Sequence, residues 1–138
     1  MKHSSTNDYM IMFFIMILSA LLSTMNVWVD KYQDIRFSIN DVYMAFLMGG
    51  WMLLFMGLLN KDPKIVSLGV LIVVINIGFI RSQFLVTEEQ YKLGMIPHHS
   101  MAVHMSKKLL ERNNNIPDFL KNVITNQESE IHFMKKKN

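Results

Sequence analysis

Histidine and methionine are the side chains of this sequence best suited to chemistry, and they meet in one short stretch, Met95-Ile96-Pro97-His98-His99-Ser100-Met101-Ala102-Val103-His104-Met105. Imidazole nitrogens with thioether sulfurs suit Cu(I), or Cu(II) through the nitrogens alone. A second stretch, Ile124-Thr125-Asn126-Gln127-Glu128-Ser129-Glu130-Ile131-His132-Phe133-Met134, adds Gln127, Glu130 and Met134. The candidate metal ligands are therefore His98, His99, Met95, Met101, Met105, Met134 and Glu130, with Glu130 either ligating or orienting a histidine. Gln127 and His104 are candidate supporting residues. Neighbouring residues on a helix diverge by about 100°, so His98 and His99 cannot point alike. One metal is met more naturally by His98 with Met101 or Met105, or by His99 with Met95. The same residues have a purely structural reading, in which His–Gln and His–Glu bonds only fix the register of two helices.

Other chemistries lack their parts. There is no cysteine, which excludes disulfides, thiolate zinc sites, iron–sulfur clusters and thiol catalysis. No Gly-rich phosphate loop, H-E-x-x-H motif or convincing Ser/His/Asp set occurs. Ser100 projects about 100° away from His99 and is expected to be ordinary helix surface. A carboxylate-bridged dimetal site needs several inward acids and Glu-x-x-His pairs, which are missing here. The expectation is a binding protein, not an enzyme. With 14 basic and 11 acidic side chains the net charge is +3, too diffuse to point to nucleic acid.

The two stretches need helices to position them. Thr87-Glu88-Glu89-Gln90 fits a capping box, so a helix is expected from near Glu88 to about Arg112, with Pro97 kinking or dividing it. Asn113 to Asp118 is a turn, and a last helix follows to Lys136. One face of the first helix is expected to carry Met95, His98, His99, Met101, Ala102, Met105 and Leu109, with His104 pointing the other way. The last helix would present Leu120, Val123, Ile124, Gln127, Glu130, Ile131 and Met134, setting Gln127 and Glu130 opposite His98 and His99. Glu128 and His132 lie further round.

Upstream the material changes. The chain has 138 residues, 51% hydrophobic, and its first part holds long uncharged runs. Tyr9 to Val29 is long enough to cross a hydrocarbon core of about 30 Å and reads as a retained span, with a cleavable signal peptide as the alternative. Val42 to Leu59 is a second span. Ile65 to Ile80, extended to about residue 85 if Arg81 snorkels, is a third. The polar loop Asp30 to Asp41 separates the first two, with Asn40 and Asp41 placed to cap the second. Among the thirteen methionines, Met44, Met48, Met52 and Met56 recur at i, i+4 and read as packing, the alternative being a thioether ladder for a soft ion. Ala45, Gly49, Gly50 and Gly57 would let a neighbouring helix approach closely. Asn26 and Asn76 are polar side chains suited to bonding between helices.

The His/Met stretch resembles the M-I-P-H-H-x-x-A-h-x-M signature of the domain of unknown function 305 family, and Ile124 to Met134 resembles that family's I-x-x-Q-x-x-E-I-x-x-M ending. The resemblance covers about residues 87–136. It implies a small helical, ferritin-like bundle, exported or membrane-attached in bacteria, without an established catalytic activity, and in some members associated with copper. This sequence departs in two ways: His104 stands where many members have an acid, and there is one hairpin where larger members have two. The expected architecture is thus all-α, a membrane domain over 1–86 followed by a soluble hairpin over 87–138. The hairpin is half of a four-helix bundle, to be completed by a second copy or by the membrane helices. Three crossings put the two chain ends on opposite sides. Lys2, Lys61 and Lys64 on one side nearly tie with the basic residues near the span ends on the other; the Lys61/Lys64 turn has two bases around one acid, whereas Asp30–Asp41 has three acids against two bases, which favours an inside N-terminus. With the resemblance, this places the protein in the bacterial inner membrane and the hairpin on its outer face.

Overall fold

The computed structural model describes residues 6–136. Lys2, counted in the charge balance above, and Lys137 and Asn138 at the end of the hairpin lie outside the described residues. The helices are α1 (Thr6–Leu22), α2 (Ile39–Leu59), α3 (Pro63–Ser82), α4 (Glu88–Leu110) and α5 (Pro117–Lys136), with two short 3₁₀ turns, Met25–Trp28 and Tyr32–Asp34, between α1 and α2. No strand occurs among the described residues. Three stretches, Asn7–Trp28, Ile39–Leu59 and Pro63–Ser82, are long and apolar enough to cross a membrane.

The boundaries differ from the sequence expectation for local reasons. The α-helical part of the first stretch stops at Leu22, and a 3₁₀ turn finishes the apolar run. α2 begins at Ile39, so Asn40 and Asp41 lie inside its first turn instead of ahead of it. Asp62 caps α3, accepting from the N–H groups of Lys64 (3.1 Å) and Ile65 (3.4 Å), with Pro63 in the first turn where its missing N–H costs nothing. α3 ends at Ser82 without the extension to residue 85, because Gln83 turns left-handed at φ 49° and its N–H closes on the preceding turn. Thr87 caps α4 by accepting from Gln90 N–H at 3.3 Å, as half of the expected capping box. Pro97 neither divides nor ends α4, which runs unbroken through it.

Contacts divide the chain into two units. The first takes the described residues up to Ser23 together with Ile39–Val86. Here α2 is the middle helix, and its small residues set the spacing on two sides. A Cβ on Gly49 would lie 2.6 Å from Phe13 of α1, and one on Gly57 would lie 2.7 Å from the backbone nitrogen of Val66 in α3. α3 reciprocates through Gly69, where a Cβ would come within 2.5 Å of Leu54 N. Tyr9, Leu53 and Ile65 form the buried cluster, with Met52 and Met56 packed against it, while Met44 and Met48 of the same stripe are exposed. Asn76 is buried and donates to Ile72 O in its own helix at 2.8 Å, not across to another.

The second unit joins Thr24–Ser38 to the residues from Thr87 onward. Contacts therefore cut across the linear division at residue 86, because the segment between α1 and α2 packs with the hairpin. α4 and α5 pair through Ile96, Val103, Ile131 and Met134, with Met95 and Ile124 against them. Thr24–Ser38 lies on α4 as well, close enough that a Cβ on Gly94 would meet the Ser38 hydroxyl oxygen at 3.2 Å. The cover sought from a second subunit or the membrane helices thus comes, on this face of α4, from the chain's own inter-span segment.

Candidate functional site

Covering α4 from two sides rotates its buried face away from the methionine-rich one expected. The buried residues are Ile96, Pro97, Ser100, Val103 and Ser106, whereas Met105 and Leu109 are exposed. Taking about 100° per residue, the centre of the buried arc lies roughly two-fifths of a turn from the centre of the expected arc. The physical reason is that two serines and a valine allow close approach from both α5 and the Thr24–Ser38 segment, whereas a methionine face would hold the segment off. Ser100 is 0% exposed, which corrects its assignment to ordinary surface.

Of the expected ligands, the histidines find partners. His99 Nδ1 lies 2.9 Å from Glu130 Oε2 of α5. The two atoms lie within hydrogen-bonding distance but are not aligned as a full hydrogen bond. Burial pushes the His99 pKa below the ordinary imidazole value, with Glu130 pulling it back up and His98 adding to the lowering. His98, on the exposed side, faces neither Gln127 nor Glu130. Its Nδ1 lies 3.1 Å from the sulfur of Met25, in the first 3₁₀ turn. The two imidazole rings are 6.1 Å apart and inclined at 61°, as the helical divergence requires.

The remaining candidates scatter. Met134 is buried in the α4–α5 core and Met95 packs against it, so both act first as apolar filler. Met101 is half-buried, one turn after His98. Met105 is exposed, and it and His104 border a separate groove of about 630 Å³ with Trp28, Leu109, Ile116 and Phe119. Gln127 is half-buried and joins neither histidine by a hydrogen bond among the described residues. Glu128 and His132 are exposed, as expected. Among the described residues no three His, Asp or Glu side chains gather closely enough to hold a metal ion by themselves. A metal here would depend on histidine nitrogen with thioether sulfur, two donor types that come into contact at His98 and Met25, 3.1 Å apart.

Sequence reasoning missed a polar cluster in the same unit. The Ser100 hydroxyl donates to Asp34 Oδ2 at 2.7 Å and accepts from the Asp30 N–H at 2.9 Å. Asp34, 2% exposed, is also paired with Lys135 of α5. Lys107 bridges Asp30 (2.8 Å) and Glu128 (3.0 Å), and the Asp30 bond leads in raising its pKa above the usual lysine value. Asn26 closes the segment on itself, donating to Arg36 O at 2.7 Å and accepting from Arg36 N–H at 3.0 Å. A signal was present in the sequence: the Asp30–Asp41 segment holds three acids against two bases, and Lys107 and Lys135 of the C-terminal helices offer opposite charge.

The family described as domain of unknown function (DUF305) matches residues 83–137. Over 124 residues the chain is 37% identical to the uncharacterized protein L153 of Acanthamoeba polyphaga mimivirus, covering 85% of this chain and 82% of that protein. A match of that extent cannot be confined to the hairpin, so the likeness reaches into the apolar helices. No solved structure matches.

Proposed function

The chain belongs to the DUF305 family, and on that premise we propose that it is an integral membrane protein whose second unit binds copper or a similar soft metal, for storage, sensing or handover and not for catalysis. The observation that carries the reading is His99 held at 2.9 Å by Glu130 beside a solvent-facing His98. A carboxylate on one ring nitrogen orients the imidazole and leaves Nε2 to serve as a donor. The lowered pKa keeps His99 neutral near pH 7, the form a metal requires. Copper, when bound, would supply a soft centre for nitrogen and sulfur donors; His98 or His99 would hold it together with a thioether, Glu130 orienting His99.

Membrane insertion is supported by the outward side chains of the first unit, where Phe14, Leu18, Phe55, Leu71 and Val74 are all more than half exposed. Water would penalise such a surface and lipid does not. It is supported too by the pairing of Thr24–Ser38 with the C-terminal helices in one unit, since three crossings deliver both to the same side. We place that unit on the outer face, on the ground that the Lys61/Lys64 turn has two bases around one acid whereas the Asp30–Asp41 loop has three acids against two bases. Tags at each end with protease access in intact cells test this; a protected C-terminus reverses the orientation.

A second reading is a structural or oligomerisation module, in which His98, His99, Gln127 and Glu130 serve only to lock helices. It is favoured by the groove bordered by Ile116 and Phe119, the latter 62% exposed, an apolar surface suited to a second copy. Copper titration of the purified full chain, with His98→Ala/His99→Ala as control, separates the two. The metal reading expects binding that the double variant loses; equal binding by both leaves the structural module.

A further inference from the structure

We infer that Met25 is a thioether ligand of the metal whose nitrogen donor is His98, so that the site is built from both pieces of the second unit and not from the hairpin alone. The inference rests on the metal reading above and adds a ligand from outside the DUF305 match, which begins at residue 83.

Three observations carry it. First, His98 Nδ1 and Met25 Sδ are 3.1 Å apart across 73 positions of sequence, with both side chains exposed. A thioether is a weak hydrogen-bond acceptor, and an exposed imidazole has water as a better partner, so hydrogen bonding alone gives this contact little reason to exist. Two donors of matched softness facing each other at the surface do have a use, since Cu(I) and Ag(I) accept few ligands and favour sulfur with imidazole. Second, two of the hairpin methionines are committed elsewhere: Met134 is buried in the core and Met95 packs on it. Third, Met101 follows His98 by three residues on α4, on the same helical face. His98, Met25 and Met101 thereby offer one nitrogen and two sulfurs from two segments.

A consequence follows for the segment between α1 and α2. It is also tied to α4 and α5 by polar bonds through Asp30 and Asp34. A metal at His98 and Met25 would add a tie at Met25, close to the end of the first apolar stretch, and so make the seating of this segment respond to metal.

The test uses the full chain in detergent under anaerobic reducing conditions, with Cu(I) partitioned against a chromophoric chelator, and compares wild type with Met25→Leu, His98→Gln and Met44→Leu. The expected result is a loss of about tenfold or more in affinity for Met25→Leu and for His98→Gln, none for Met44→Leu, and a weaker copper–sulfur signal in X-ray absorption of Met25→Leu. Wild type that binds Cu(I) through the histidines while Met25→Leu binds as tightly, with the same sulfur signal, overturns this inference and leaves the metal reading standing. Wild type that does not bind overturns both. Should Met25→Leu misfold, methyl-labelled methionine spectra of the wild type with Ag(I) decide: a shifted Met25 methyl supports the ligand, and an unmoved one overturns it.

Discussion

The two units solve the same problem, holding helices together, with opposite materials. In the first, cohesion comes from absence: Gly49, Gly50, Gly57 and Gly69 remove side chains so that backbones and flat apolar surfaces touch. On the membrane reading proposed above there is little hydrophobic force between helices, so close van der Waals packing has to supply the attraction. In the second, α4 and α5 share a small apolar core, and the Thr24–Ser38 segment is fastened to them by Asp30, Asp34, Ser100, Lys107 and Lys135. Burying the Asp34 carboxylate is tolerable because it meets Lys135 and Ser100, and losing it strands them. The first unit should therefore be intolerant of added volume, and the second intolerant of a removed charge.

The largest expected effect lies in the second unit. Asp34→Ala leaves Lys135 and Ser100 without their shared acceptor and should cost about 3 kcal/mol, the low end for a broken buried pair because Lys135 retains some contact with water. Asp34→Asn, which keeps an oxygen for Ser100, should fall between. Thermal unfolding of the detergent-solubilised chain measures both; a neutral Asp34→Ala would remove the claim that charge fastens the segment. Next comes Gly69→Ala, whose Cβ would lie 2.5 Å from Leu54 N, and a loss of about 1–3 kcal/mol is expected for such overpacking. Gly78 is the internal control: nothing lies within 4 Å of a Cβ there, so Gly78→Ala should be neutral or stabilise by up to about 1 kcal/mol. If both substitutions behave alike, close approach is not what holds the first unit.

The smallest effect is a dependence on pH. The Lys107 pKa is raised in the folded chain, chiefly by its bond to Asp30, so the folded state binds its proton more tightly than the unfolded state does. Its contribution is fully present below the ordinary lysine value of 10.5 and is lost as pH rises through the folded value. Lys107→Met should flatten the alkaline limb of the stability profile while changing neutral stability by no more than about 1 kcal/mol, since the pair is partly solvated. An unchanged alkaline limb would show that Lys107 does not couple to Asp30.

The sequence alone determined what depends on local composition and helical period. Uncharged runs with polar breaks marked the three apolar helices, the small residues of α2 marked where its neighbours approach, and the Thr87 cap and the turn after Arg112 marked the hairpin. The His99–Glu130 contact was also legible, because the two lie on facing helices at matching positions. Tertiary structure alone decided the rest: which arc of α4 is buried, that Ser100 receives Asp34, and that His98 meets Met25 instead of Gln127. All three follow from one event, the seating of Thr24–Ser38 on α4. Helical periodicity assigns a face only against a partner that is already known, and this partner lies some seventy positions away in the chain. A pattern within one helix cannot report which distant segment will cover it, or turn its face to suit.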